Sequence, residues 1–319
     1  MTSIKQNLCT AAVAFATILA PTFASAAQLS GDAKSAIPKD IQQLIVVDYR
    51  AMQNSPTAME LKDRVLPPEL KRLESALKSS GLKVDQDADV LAFAAFRDQK
   101  GDGTRIVGIA QGQFHTREIL ASFVKSKTKP FVVRNNSVYP MGSNGMSVVF
   151  LNQTTMVFGD KASVSESLDA RDGLIPGFLS NGDMVGEMGV VDSKAVWSLL
   201  DSKGTQTMMK GVLGDAAQLA DYDTVKNRMK SSRYTMDFSN GVKFNMAVVM
   251  SDALTAATAA TLMKGVSIMR KTGGSALEKS ALDQTTIDSS SGTLTVDYSS
   301  SDSQFASLLT SPLFQSVVR

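Results

Sequence analysis

The chain is almost without cysteine and histidine: its 319 residues hold one Cys, one His and one Trp. Cys9 falls in the opening 27 residues, MTSIKQNLCTAAVAFATILAPTFASAA, where a short polar stretch with Lys5 leads into an apolar run from Leu8 to Ala20 and then small residues. That order is the pattern of a secretory signal peptide, and Ala24 and Ala26 supply the small-x-small spacing that places cleavage after Ala26. The apolar run is well short of the roughly 20 residues a spanning helix needs, so no retained anchor is expected. Gln6, Asn7 and Leu8 are the wrong neighbours before Cys9 for a lipoprotein cleavage box. The expected mature chain is periplasmic or secreted and has no thiol. That excludes disulfides, thiolate metal sites and cysteine nucleophiles, and leaves stability to a hydrophobic core of ordinary size.

A single histidine narrows the chemistry further. A Ser-His-Asp relay would rest wholly on His115, which follows Phe114 at a strand end and reads as the start of a helix. Copper binding through methionine would lack imidazole support. Charge of one sign is also missing: 33 basic against 31 acidic residues give +2, and removing Lys5 with the signal peptide leaves +1. A balance so close to zero, without a basic stripe or interleaved aromatics, gives no footprint for nucleic acid. The chain has no G-x-S-x-G, Walker loop or dinucleotide fingerprint. VFGDKASVSESLDARDG has one glycine, Gly159, and Asp160 or a Ser163 to Glu166 capping box accounts for it as a helix start. No cofactor is expected.

What the sequence does contain is internal similarity. LIVVDYRAM (44–52) returns as MGVVDSKAV (188–196), and ALKSSG (76–81) as RMKSSR (228–233). The hydrophobic periods follow the same course twice. In the first half, strand 43–49 precedes a helical stretch from Pro56, interrupted at Pro67-Pro68 and resumed by ELKRLESALKSS. VLAFAAFR and RIVGIAQGQF then read as paired strands, HTREILASFVKS as an amphipathic helix, and FVVRNNSVYPMGSNGMSVVFLNQTTMVFGD as a meander. In the second half MVGEMGVVDS reads as the strand and TQTMMKGVLGDAAQLADYDTVKNRMKSS as broken helix. RYTMDF and VKFNMAVVM form a strand pair, DALTAATAATLMKGVSIMRKTG a long helix capped by Asp252, and TTID with TLTVDY a closing hairpin. The expected fold is α+β: two similar β-α-β-β-α-β units with antiparallel sheets and helices packed on one face. The boundaries are a signal peptide at 1–26, a first unit at 27–171, a linker at 172–183 and a second unit at 184–319.

Three constellations carry chemistry on paper. DQKGDGT (98–104) imitates a calcium loop. Its third position is Lys100 and its twelfth Ile109, strands flank it, and its counterpart in the second half is Ser239-Asn240-Gly241, so it reads as a hairpin turn. Asp85, Asp87 and Asp89 are the better metal candidates, because alternate residues of an extended segment point the same way. Ser75 with Lys78, Ser122 with Lys125, and Lys271-Thr272-Gly273 resemble penicillin-binding elements, but both serines fall inside helices and the K-T-G ends one.

The methionines are the remaining signal. Of 16, ten lie between Met184 and Met269, and Met208, Met209, Met246, Met250 and Met263 are the expected lining of a deformable apolar pocket. QQLIVVDYRAMQNS, GIAQGQF, TMVFGD with LDARDG, GTQTMMK and SPLFQS together resemble a set of secreted bacterial proteins with no assigned function. That resemblance implies the compartment and no site residue. The residues as a whole point to a non-catalytic envelope protein, not embedded in the membrane, that binds an apolar ligand or a protein partner. The alternatives are a serine hydrolase working through Ser75 or Ser122 and a purely structural protein.

Overall fold

A computed structural model describes residues 28–65, 75, 78, 84–97, 103–141, 145–213 and 222–311. The strands are β1 (Ile41–Asp48), β2 (Ala88–Arg97), β3 (Thr104–Gly112), β4 (Phe131–Val133), β5 (Asn136–Met141), β6 (Met146–Phe150), β7 (Thr155–Asp160), β8 (Val196–Leu200), β9 (Met229–Asp237), β10 (Val242–Met250), β11 (Thr285–Ser290) and β12 (Thr293–Ser300). The helices are α1 (Gly31–Ser35), α2 (Tyr49–Gln53), α3 (Pro56–Val65), α4 (Val84–Asp87), α5 (Thr116–Lys125), α6 (Lys161–Arg171), α7 (Gly182–Val191), α8 (Ser202–Leu213), α9 (Tyr222–Lys226), α10 (Ala253–Gly273), α11 (Ala276–Asp283) and α12 (Asp302–Leu309). The fold is α+β, and the twelve strands among the described residues form one sheet in the order β11-β12-β10-β9-β8-β1-β2-β3-β7-β6-β5-β4. Every neighbouring pair is antiparallel. The sequence leaves open whether the two expected sheets join or pack together; they join, where β1 pairs with β8 from Gln43↔Leu200 to Val47↔Val196.

Local chemistry places the elements. The turn between β9 and β10 needs Gly241 at φ +72°, and an added Cβ there would sit 2.4 Å from the Ser300 carbonyl oxygen. The β11–β12 turn carries two left-handed residues, Ser291 and Gly292. Asp160, not the box at Ser163, caps α6 by accepting from the Ser163 N–H at 2.7 Å. Asp252 caps α10 in the same way, and capping boxes start α11 at Ser275 and α12 at Ser301. Along α10, Ala256, Ala259, Ala260 and Met263 are buried at helical spacing, and the small alanines let the helix lie close over β11 and β12.

Two sequence expectations are corrected. MVGEMGVVDS is not a strand: its residues to Val191 form α7, started by Asn181, whose side chain accepts from the Met184 N–H. Met184, Met188 and Val191 recur at helical spacing and bury, so tertiary burial of that stripe overrides the β-rich ending. The strand is the following VWSLL, β8. The Val-Val-Asp match thus sets a strand end, Asp48, against a helix end, Asp192, and most of the ALKSSG segment lies outside the described residues.

Helices also occupy both faces of the sheet rather than one. On the first face, Leu44, Val46, Ala92, Phe96, Trp197 and Leu199 pack with residues of α1, α6 and α7. On the second, α5 covers one half with Ile119 and Phe123, and α8, α9 and α10 cover the other. A strand as apolar as ADVLAFAAFR offers both of its sides for burial, which requires cover on each. Segment 172–183 packs into the fold: Phe178 is fully buried, its N–H donates to the Ile37 carbonyl, and Gly177 bridges Pro38.

Candidate functional site

The two faces of the sheet centre are sealed to different degrees. Along β1 and β2 the first-face residues Leu44, Val46, Val90, Ala92 and Ala94 are all at or below 2% exposure, whereas Ile45, Val47, Leu91 and Phe93 on the second face are half-buried. Both sets are apolar. The second-face set lies in the middle of the sheet, between α5 on one side and α8 on the other, and continues onto β9 as Tyr234 and Met236. The register puts Phe93, Ile45, Ser198 and Tyr234 side by side across four strands, and Leu91, Val47, Val196 and Met236 in the next row. A contiguous apolar set left short of full burial on a covered sheet is the candidate lining of an apolar site.

Each side chain of this floor is held from its own strand neighbours. Phe158 lies across Gly108, where an added Cβ would come within 1.8 Å of the ring, and its edge meets Phe93 at 6.0 Å between centroids and 71°. Tyr234 meets Phe244 at 6.1 Å. Above Met236, α2 and α3 close the far end with Met52 and Ala58.

A polar cluster interrupts the apolar floor at the joint of the two halves. Gln43 on β1 donates from its amide nitrogen to Ser198 Oγ at 3.3 Å and to Tyr234 Oη at 3.2 Å. Burial pushes the Tyr234 phenol above its ordinary value, against the pull of hydrogen bonds from Ser198 and Gln43, so the hydroxyl keeps its proton at neutral pH. Next along the cluster, Thr205 of α8 is bonded to Ser232 of β9 at 2.9 Å, which pins that helix to the sheet. At the near end Arg97 pairs with Asp201, whose other oxygen accepts from the Gly204 N–H at 2.7 Å. Arg97 Nε is buried without a hydrogen-bond partner.

The methionines named from the sequence do come together. Met209, Met246, Met250 and Met263 are buried and Met208 packs against them, all in one core between β10, α8 and α10. They fill that core, and the half-buried apolar residues lie beside them on β1, β2 and β9.

The acidic candidates are held apart. Asp87 ends the α4 turn with its carboxylate 3.7 Å from His115 Nδ1, and Asp89 on β2 pairs with Arg50. The extended geometry that would align alternate carboxylates is broken by α4; the Asp85 side chain is outside the described residues. In DQKGDGT, residues 98–102 are likewise outside them, while Arg97 and Thr104 pair across the connection.

The serine constellation is not assembled either. Ser75 is exposed on a helical turn, Ser122 lies in the middle of α5, and Lys271-Thr272-Gly273 ends α10 over the other half of the sheet, with Lys271 paired to Asp283 at 2.7 Å. Gln43, Ile45, Phe93, Ser198 and Tyr234 were not singled out by sequence reasoning. The signal for them was present in β2, whose residues are apolar at both parities, and in Gln43, the amide that shares one side of β1 with Ile45 and Val47.

No protein-family model and no curated protein sequence matches the chain. Six solved chains match in fold. TP0453 in its crystal form I is 9% identical, with 89% of this chain and 98% of that chain covered at a TM-score of 0.52. Its crystal form III gives 9% identity, coverage of 86% and 96%, and a TM-score of 0.47. At that identity the likeness to form I concerns the fold alone. No described helix is long and apolar enough to cross a membrane.

Proposed function

We propose that this is a non-catalytic protein of the bacterial envelope, periplasmic or secreted after loss of residues 1–26, that binds an apolar ligand on the second face of its sheet. The observation that carries the reading is the half-buried floor of Ile45, Val47, Leu91 and Phe93, apolar and central, beside a first face that is sealed. The signal-peptide pattern supports the compartment. The strand order supports a duplicated origin: β1-β2-β3-β7 runs outward from the central joint in one direction as β8-β9-β10-β12 does in the other, with α3 and α5 in one half answering α8 and α10 in the other. On this reading the binding floor straddles the joint between two related β-α-β-β-α-β units.

The test is native mass spectrometry of the protein purified from its own host without detergent. A small apolar molecule riding with the folded chain is expected. A bare chain overturns the proposal, and a co-purifying protein in place of a small molecule replaces it with a docking role.

A further inference from the structure

Hydrogen-bond arithmetic in the polar cluster specifies the ligand more closely than its apolar walls do. Gln43, Ser198 and Tyr234 bring four donors together, two on the amide and one on each hydroxyl. Three side chains form at most three pairs, and each contact spends one donor. Whichever way the amide is turned, one donor is left over for an acceptor from outside the cluster. Arg97 Nε, nearer the end of the same strip, is a second donor without a partner.

Polarity changes in one direction along the strands. The Arg97 and Asp201 pair comes first, then Gln43, then the row of Phe93, Ile45, Ser198 and Tyr234, then Leu91, Val47 and Met236 below α2 and α3. From Gln43 to Val47 is four residues, about 13 Å of strand. A molecule matching this gradient has an oxygen acceptor at one end and an apolar body.

We infer that the ligand is a long-chain fatty acid, its carboxylate against Gln43 and Tyr234 at the Arg97 end and its chain laid over Ile45, Phe93, Leu91 and Val47. This rests on the apolar site proposed above, and it adds the head group and the direction of the chain. Arg97 Nε is buried without a partner, and a carboxylate supplies acceptors to it and to the leftover donor of the cluster, which a head group without acceptors does not.

Calorimetric titration of the delipidated full chain with oleate and with oleylamine separates the two levels of the reading. The chains of the two probes are equal, but only oleate carries acceptors. Oleate binding is expected, with oleylamine at least about tenfold weaker. Tyr234→Phe should weaken oleate roughly five- to tenfold, at an unchanged near-ultraviolet spectrum, and Ser198→Ala provides the same readout if the phenylalanine variant does not fold. Phe93→Ala should weaken both probes. Equal affinity for the two heads, or unaltered oleate binding in both cluster variants, overturns the fatty-acid inference and leaves the apolar site standing. Failure of both probes to bind, or indifference to Phe93→Ala, overturns both.

Discussion

The side-chain amide of Gln43 reaches the phenolic oxygen of Tyr234 at 3.2 Å, across the intervening strand β8 and 191 residues along the chain. Ser198, on that intervening strand, shares the same amide. The two halves of the protein are thus tied by a polar contact in the middle of an apolar sheet face, and several consequences can be measured.

Removing one member of the cluster should cost stability as well as binding. Tyr234→Phe and Gln43→Ala are each expected to lower the unfolding free energy by about 1 kcal/mol. The double variant should lose less than the sum, because both substitutions delete the same contact. Urea denaturation with an unchanged dependence on denaturant is the check.

Two glycines should respond with opposite sign to alanine. A Cβ on Gly112 would lie 1.8 Å from the Asp87 carbonyl oxygen, a backbone atom that cannot swing aside. Gly112→Ala should therefore destabilise by about 1–3 kcal/mol. Gly265 sits in the interior of α10 with nothing within 4 Å of the added atom. Gly265→Ala should stabilise by about 0.5–1 kcal/mol. Thermal melts of the two variants decide both.

Asp252 gives a pH signature. The Thr255 N–H, then the Ser251 and Thr255 hydroxyls and Arg228, hold its carboxyl far below the usual carboxylate range. A depressed native pKa adds stability above the unfolded value, near 3.9, and that stability drains away as pH falls below it. Asn can still cap but carries no charge. The advantage of the wild type over Asp252→Asn should be full at neutral pH and should shrink steadily below about pH 4. Melting temperatures at matched ionic strength across that range show whether it does.

Met246 separates core from binding surface. It is 5% exposed among the packed methionines. Met246→Ala should cost about 2–5 kcal/mol of stability by cavity formation. Oleate affinity per folded molecule should stay within about twofold of wild type, since Met246 packs into the core with α8 and α10 and makes no part of the polar cluster or the strip on β1 and β2. A binding loss as large as that of Phe93→Ala would move the site into the methionine core.

Trp197 supplies an internal probe. The chain's single tryptophan is fully buried on the first face, and its indole Nε1 has no protein partner. Its emission should be blue-shifted and resistant to acrylamide in the folded state, and should move to the red in one step on unfolding. An emission maximum already at the solvent-exposed position in the native protein would contradict that burial.

Much of the local structure was legible in the residues. Strand β10 alternates cleanly in VKFNMAVVM, Asp252 announces α10, and Asn240-Gly241 announces the β9–β10 turn, because caps and turns obey short-range hydrogen bonding and allowed φ angles. The failures were equally physical. GDMVGEMGVV carries both a helical stripe and a β-rich ending, and only the sheet beneath Met184, Met188 and Val191 selects the helix. VWSLL is five residues long and buried at every position, so it has no period to read. The methionine cluster was visible as composition, yet composition does not say whether a cluster is core or lining.

The sequence by itself determined the α+β class, the positions of the caps and turns, and the apolar character of both sides of β2. Those properties depend on residue type and on neighbours within a few positions. Tertiary structure alone decided that β1 pairs with β8, and with it the single sheet, the cover on both faces and the meeting of Gln43, Ser198 and Tyr234. Strand pairing across about 150 residues is chosen by the burial it permits on both faces at once, and no local pattern encodes that choice.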